Sequence, residues 1–192
     1  AVGGLERLCI RDTCPKGKIP RLPARPRKVA VFGSGPSGLT VAFDLARKGY
    51  PISVYHLGEK PGGWLRQLPE SVLPPSALEE ELQRLGALHV TFVAVPALDC
   101  VLVETHPADA VYVGQDDTIS PDLAALLDSP DPETMALERP GWFTGGMEGR
   151  RFRFIDAVSH GREAAVSMDR FLQNASLTGS RVPLRCGRTD LF

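Results

Sequence analysis

A glycine-rich motif between a strand-like run and a helix-like run is the feature that most constrains the fold of this chain. Residues 28–32, KVAVF, form a short run in which every residue after Lys28 is apolar and two are β-branched, and the letters GSGPSG follow directly. Apolar residues then recur at helical spacing up to Gly49, where a helix would end, and residues 52–55 predict a second strand. Residues 28–55 therefore predict one βαβ unit with parallel strands.

The three glycines of this motif, Gly33, Gly35 and Gly38, have the spacing of a dinucleotide-binding loop. The first allows a tight turn, the second lets the backbone approach a pyrophosphate, and the third lets the helix pack against the strand. A phosphate would lie on the free N–H groups at the start of the helix, and Ser34 and Ser37 would donate further hydrogen bonds to it. The motif therefore predicts a dinucleotide site.

His56 stands 18 residues after Gly38, at the position where such domains usually carry an acid that binds the ribose hydroxyls. A neutral imidazole accepts one hydrogen bond and cannot hold two hydroxyls, which weakens binding by roughly 1.5–3 kcal/mol. Two interpretations of His56 stay open. It is either a weaker ribose contact or a surface residue at the end of a strand.

The rest of the chain predicts short alternating elements without an internal repeat. A proline-rich, basic stretch at residues 15–27 predicts an extended connector, and Ser76 is the predicted N-cap of a helix that ends at Gly86. We predict strands at residues 90–95, 101–104 and 110–113, one or two helical turns at 123–127, a short extended segment at 142–144 and a long amphipathic helix at 154–171.

The composition argues against several classes of partner. The 22 basic and 23 acidic residues leave a net charge of −1, which predicts neither a nucleic-acid partner nor a membrane surface. No run of about 18 apolar residues occurs, so we expect no membrane span and, by default, a cytoplasmic location. The four cysteines include no C-x-x-C pair, so we predict no metal site.

Three further segments carry a resemblance to a known family. They are KPGG at residues 60–63, the turn LPESVLP at 68–74, and the closing stretch that begins DPETMALERPGWFTGGMEG and runs into the last helix. With residues 28–56 they resemble the flavin-binding domain of the glutamate synthase small-subunit family, whose members are NAD(P)H-linked, FAD-dependent oxidoreductases. The resemblance implies an α/β fold, namely a Rossmann-like FAD-binding domain with a central parallel sheet and a small antiparallel β-layer.

The resemblance also implies which residues hold FAD. It places the pyrophosphate on the glycine motif and the adenine side near His56, and it brings the final helix to the flavin. No side chain is implied as an acid, base or nucleophile, because the flavin does the chemistry. The cofactor-binding residues implied in this way are Gly33, Ser34, Gly35, Pro36, Ser37, Gly38, His56, Gly62, Gly63, Trp64, Arg66, Gly145, Gly146, Met147 and Phe154.

Several departures from the family pattern bear on function. Only 13 residues, 96–108, stand where the family carries an inserted NAD(P)H-binding domain, and no second glycine motif occurs. The family's N-terminal iron–sulfur domain has no counterpart here. Met147 stands where the family has an aspartate, and RRFRF at residues 150–154 replaces small residues at the start of its final helix. The implied organisation is an N-terminal arm (1–27), an FAD-binding domain (28–175) and a C-terminal tail (176–192).

Two functional hypotheses follow. In the first, the chain is an FAD-binding electron-transfer subunit of a multisubunit oxidoreductase. It relays electrons between partner-borne iron–sulfur clusters and a redox site, and it depends on iron–sulfur or NAD(P)H-binding partner subunits because it is not catalytically self-sufficient. In the second, a redox-inactive flavin domain persists as a structural interaction module. The retained glycines favour the first hypothesis, whereas His56, Met147 and the RRFRF segment favour the second.

Overall fold

A computed structural model of the chain describes residues 19–146 and 154–178. Five strands and five α-helices alternate along the described residues. The strands are β1 (Val29–Phe32), β2 (Ile52–His56), β3 (Val90–Ala94), β4 (Ala110–Gly114) and β5 (Trp142–Gly145). The helices are α1 (Pro36–Arg47), α2 (Pro75–Ala87), α3 (Cys100–Thr105), α4 (Pro121–Leu126) and α5 (Phe154–Leu172), with one 3₁₀ turn at Gly63–Gln67.

The five strands form one parallel sheet in the order β3-β2-β1-β4-β5. From β1 the chain passes outward to β2 and β3, and it then returns to the other side of β1 with β4. The strand order therefore reverses between β1 and β4. In open parallel sheets, ligands bind in the crevice at the carboxyl ends of the strands where this reversal occurs. We call this space the crevice.

Helices cover both faces of the sheet, so β1 is buried on both sides. Val29 and Val31 pack with α1, α2 and α5 in one core, whereas Ala30 and Phe32 pack in a second core with residues of α3 and α4. The alternation follows from the two-residue period of a strand. It explains why residues 29–32 are continuously apolar, as strands of a parallel sheet usually are.

The fold class is confirmed as Rossmann-like α/β with a central parallel sheet, but three details of the prediction are wrong. The strand predicted at residues 101–104 is helix α3, because the side chain of Asp99 accepts a hydrogen bond from the Leu102 amide (2.8 Å) and caps a helix there. The small antiparallel layer is reduced, within the described residues, to a single bridge between Ala136 and Phe143. Ser76 lies inside α2, whose N-cap is Pro74.

Helix α3 lies in the short segment that stands where the family carries its inserted domain. Leu98 and Val103 are buried in the second core, while Val101 is 70% exposed. The segment therefore closes over the sheet with an amphipathic turn of helix and does not leave that face of the sheet open.

Before β1, the described part of the proline-rich connector runs beside the end of α1. The amide of Leu22 donates to the carbonyl of Arg47 (2.8 Å), and the amide of Arg25 donates to the carbonyl of Gly49 (2.9 Å). Gly49 has a φ of +93°, a value that favours glycine, and it follows the last turn of α1 as the sequence predicts.

Candidate functional site

The glycine loop, residues 33–38, leaves β1 at the centre of the sheet and starts α1 in the crevice, and all six of its residues are buried. Gly33 has a φ of +108°, which suits the tight turn. A Cβ atom at Gly38 would collide with the carbonyl oxygen of Gly33, so only glycine lets α1 approach the strand this closely. Pro36 is the first residue of α1, where the missing N–H is not needed.

The segment that contains Gly62 folds onto this loop. The amide of Gly62 donates to Oγ of Ser34 (2.9 Å), so the Ser34 side chain is used to join the two segments. The ring of Trp64 contacts the ring of Phe154 at the start of α5, with centroids 4.9 Å apart. Arg66 donates to the carbonyl of Pro61 (2.7 Å) and forms an ion pair with Glu79 of α2 (2.9 Å). The Arg66 guanidinium therefore braces this segment.

Two acidic residues that the sequence analysis did not single out lie against the glycine loop. The amide of Ser34 donates to Oδ2 of Asp117 (2.8 Å), and the amide of Ser37 donates to Oδ2 of Asp116 (2.8 Å). The Ser37 hydroxyl donates to Oδ1 of Asp116 (2.6 Å). We call Asp116 and Asp117 the acidic pair. Their signal in the sequence is two adjacent carboxylates just after β4, whose carboxyl end borders that of β1.

Gly145 and Gly146 close the crevice on the side of β5. The carbonyl of Gly145 accepts from the Gln115 amide (2.8 Å), and the amide of Gly146 donates to Nδ1 of His160 (3.4 Å). A Cβ atom at Gly146 would lie 2.8 Å from the amide nitrogen of Asp116, and the φ of Gly146 is +117°. This turn thus packs against the backbone of the acidic pair.

His56 does not have the environment of a surface residue. It is only 3% exposed, its Nδ1 lies 3.3 Å from the carbonyl oxygen of Leu57, and its ring contacts that of Phe92. The surface interpretation is therefore wrong, and a role in ribose binding stays a prediction.

Met147 and most of the RRFRF segment, residues 150–153, lie outside the described residues.

Two cavities of the crevice border the residues that follow β4. One, of about 420 Å³, is lined by Met135, Gly145, Gly146 and His160 among others. The other, of about 540 Å³, includes Leu57, Gly63, Trp64 and both aspartates. Gln115 borders both cavities. The crevice is thus divided by the residues that follow β4.

Burial makes the crevice an unfavourable place for negative charge. Burial raises the pKa of Asp116 above its ordinary value, although the hydrogen bonds from Ser37 act in the opposite direction, and the negative charge of Asp117 adds to the rise. Burial also raises the pKa of Tyr112, and Asp116 raises it further, so this phenol stays protonated. The hydrogen bonds from Ser37 favour the ionised form of Asp116.

The residues present fit FAD only in part. The conformations of Gly33 and Gly38 are those of a loop built for close approach to a phosphate. The anion position at the start of α1, however, is taken by the chain's own carboxylates, and a diphosphate cannot share those amides with them. In this arrangement the pyrophosphate does not fit.

Within residues 19–146 and 154–178, no group of three or more histidine, cysteine or acidic side chains is placed to hold a metal ion. No helix of this described part is long and apolar enough to cross a bilayer.

The fold and the glycine loop are those of a Rossmann-like nucleotide-binding domain. The sequence profile described as "NAD(P)-binding Rossmann-like domain" matches residues 31–73, which comprise the end of β1, the loop, α1, β2 and the segment after it. This match supports a flavin or nicotinamide cofactor without separating the two.

Three curated relatives place the chain among known proteins. It is 42% identical over 65 residues to the "NAD-dependent dihydropyrimidine dehydrogenase subunit PreT" of Escherichia coli, covering 33% of this chain and 16% of that protein. It is 34% identical over 131 residues to "Glutamate synthase [NADH]" of Schizosaccharomyces pombe, covering 64% of this chain and 6% of that protein. It is 31% identical over 97 residues to "Glutamate synthase [NADPH] small chain" of Bacillus subtilis, covering 48% of this chain and 20% of that protein.

These matches confirm the resemblance to the glutamate synthase small-subunit family. Two of the three relatives are named as a subunit or a small chain. The matched part spans a fifth or less of each of these three relatives.

Solved structures agree on the fold. Thi4 from Thermovibrio ammonificans matches with a TM-score of 0.55 at 15% identity, covering 90% of this chain and 97% of that chain. Thioredoxin reductase from Lactococcus lactis matches with a TM-score of 0.51 at 12% identity, covering 77% of this chain and 99% of that chain. At these identities the likeness concerns the fold alone.

Proposed function

We propose that the chain is an FAD-binding electron-transfer subunit of a multisubunit oxidoreductase. One observation carries the proposal: the glycine loop, the Gly62–Gly63 turn and the Gly145–Gly146 turn, which are distant in sequence, meet at the crevice where the strand order reverses. Ligands of open parallel sheets bind at this place. FAD, when bound, would supply the redox chemistry, and the chain would position it.

The residues of the chain would act on FAD by binding and orientation. The amides of Ser34 and Ser37 would donate to a pyrophosphate at the start of α1 once they are released from Asp117 and Asp116, and the helix dipole there also favours an anion. The Trp64–Phe154 ring pair lies beside the cavity that Trp64 lines, and it would limit how far water reaches that part of the crevice. No described side chain is assigned a proton-transfer step.

Partner subunits would supply the other redox groups. The proposal rests on the short segment 96–108, which leaves no room for a second nucleotide-binding domain between β3 and β4, and on the relatives whose names describe them as subunits or small chains. We expect partners that carry iron–sulfur clusters, an NAD(P)H site, or both, and we expect the complex to lie in the cytoplasm.

A second candidate function is a redox-inactive interaction module. The acidic pair favours it, because Asp116 and Asp117 accept the loop hydrogen bonds that a pyrophosphate would need. A domain that keeps its fold by filling its own anion site does not require a cofactor.

The flavin content of the native complex distinguishes the two candidates. The complex is purified through a tag on the full chain, denatured, and the released flavin is identified and quantified by chromatography against the amount of chain. We expect about one FAD per chain. Partner subunits could also carry flavin, so the same complex is assembled with the Gly35→Val chain and its flavin content is subtracted. An equal FAD content with both chains would contradict the proposal and favour the interaction module, and FMN would contradict the dinucleotide geometry.

A further inference from the structure

The glycine loop already has an anionic ligand, and that ligand is part of the chain. Two backbone amides and one hydroxyl of the loop donate to the carboxylates of Asp116 and Asp117 at 2.6–2.8 Å. These distances are those of charge-assisted hydrogen bonds. The amides of Ser34 and Ser37 are therefore satisfied without any cofactor.

The space normally left by glycine is used by the same carboxylates. A Cβ atom at Gly35 would lie 2.8 Å from both Cγ and Oδ2 of Asp116, and a Cβ atom at Gly63 would lie 2.8 Å from Oδ1 of Asp117. At Gly146 the corresponding atom would lie 3.0 Å from Oδ1 of Asp116. Glycines from three separate segments thus lie directly against the acidic pair.

The acidic pair also lies beside the space that a dinucleotide would occupy. Both carboxylates line the cavity beside Trp64, and Gln115, which precedes them, borders both that cavity and the cavity beside His160. A ligand whose phosphates take the amides of Ser34 and Ser37 must displace these carboxylates. It would also bring negative phosphates next to them, which opposes binding.

We propose that Asp116 and Asp117 are affinity-determining residues that act as an internal ligand of the glycine loop, so that a dinucleotide binds only by displacing them. The inference rests on the proposed function for the identity of the competing ligand, FAD. The assignment of the carboxylates to the loop rests on their own hydrogen bonds. Displacement moves the residues after β4, which are held on one side by the Gly145 carbonyl and on the other by the loop itself.

The first test measures FAD affinity. The full chain, alone and in its native complex, is titrated with FAD by isothermal calorimetry as wild type and as the Asp116→Ala/Asp117→Ala variant. We expect the variant to bind at least about tenfold more tightly, since each displaced charge-assisted bond opposes binding by a comparable factor. Glu80→Ala/Asp122→Ala is the matched control, because it removes the same charge from exposed positions that line neither cavity of the crevice, and it should leave the affinity unchanged.

The second test measures the loop without any ligand. Amide hydrogen exchange at Ser34 and Ser37 should be at least about tenfold faster in the Asp116→Ala/Asp117→Ala variant than in the wild type, while exchange in β1 stays the same. Unchanged exchange at both serines would overturn the internal-ligand assignment. Loss of protection against exchange throughout the chain would mean that the variant is unfolded. The Asp116→Asn/Asp117→Asn variant, which keeps the side-chain volume, then replaces it in both tests. The expected change in FAD affinity is the same.

The two tests separate the failure of this inference from the failure of the proposed function. Equal FAD affinity in wild type and variant would overturn the inference and leave the flavin function intact. Faster exchange at Ser34 and Ser37 without FAD binding to any form would support the internal ligand and contradict the flavin function.

Discussion

The amide nitrogen of Ser37 lies 2.8 Å from Oδ2 of Asp116, and the Ser37 hydroxyl lies 2.6 Å from the other oxygen of the same carboxylate. A side chain from the loop after β4 therefore caps the helix that follows β1. Gly35, the N-cap residue of that helix, has no side chain that could do so. The same contact stabilises the fold and competes with a cofactor, which links stability to function in the predictions that follow.

Gly35→Ala is expected to destabilise the chain. The added Cβ would lie 2.8 Å from the Asp116 carboxylate and 3.1 Å from its carbonyl oxygen, and overpacking of this kind costs roughly 1–3 kcal/mol. Urea unfolding measures the change, with Gly86→Ala as control. Gly86 lies in α2 with no heavy atom within 4 Å of an added Cβ, so alanine there should stabilise by about 0.5–1 kcal/mol. In the Gly35→Ala/Asp116→Ala double variant, part of the stability lost through Gly35→Ala should be regained. A Gly35→Ala chain as stable as the wild type would contradict the close contact between Gly35 and Asp116.

Gly161→Ala is expected to separate α5 from α1. An added Cβ would lie 2.6 Å from the carbonyl oxygen of Ser37 and 3.0 Å from Cβ of Thr40, and neither atom can move without moving α1. We expect a loss of about 1–3 kcal/mol in the free energy of unfolding. Ser159→Ala, at an exposed position of the same helix, should be neutral or slightly stabilising. Equal effects of the two substitutions would argue against this close helix contact.

Asp169→Asn is expected to reduce stability in a manner that depends on pH. Burial raises the pKa of Asp169, but hydrogen bonds from Lys48 (2.7 Å) and Tyr50 (2.8 Å) outweigh it and bring this pKa below its usual value. The ionised form is thus favoured by folding. Its contribution is fully present above the unfolded pKa, about 4, and is lost as the pH falls through the lower folded value.

The wild type should therefore exceed Asp169→Asn by about 1–2 kcal/mol at pH 7, and the difference should shrink below about pH 4. Urea unfolding across this range measures it. The exposed Asp128→Asn is the control, and a difference that stays constant down to pH 2 would contradict the assignment.

The isolated full chain, loaded with FAD, is expected not to oxidise NADH or NADPH at a useful rate. The short segment between β3 and β4 forms α3 and packs on the sheet, and no second glycine motif is present in the sequence to bind a nicotinamide dinucleotide. Stopped-flow absorbance measures flavin reduction after mixing with either nucleotide. Rapid reduction by the chain alone would refute the dependence on a partner.

The sequence predicted the framework well because that framework depends on local patterns. Residues 28–55 form strand, loop, helix and strand as predicted, since continuous apolar runs and helical periodicity are read directly from the residues. The segment 101–104 was predicted wrongly, because the composition of VLVE is typical of a strand. Its helix depends on a cap by Asp99 and on burial of Val103 beneath it, which is a tertiary contact.

The acidic pair could not be derived from spacing. Asp116 is 79 residues from Ser37 along the chain, and only the parallel pairing of β1 with β4 brings the two loops together. Likewise, the sequence could not show that His56 is buried, because Phe92, whose ring its own ring contacts, comes from the neighbouring strand β3. In both cases the missing information was the order of strands in the sheet.

Amide chemical shifts of the ¹⁵N-labelled full chain during titration with FAD test the central claim most directly. If FAD competes with the acidic pair for the glycine loop, the largest shifts will occur at the amides of Ser34 and Ser37 and at those of Asp116 and Asp117, while the amide of Gly86 in α2 will not shift. They will saturate at lower FAD concentration in the Asp116→Ala/Asp117→Ala variant. Shifts that saturate elsewhere on the chain, or none at millimolar FAD in either form, would contradict it.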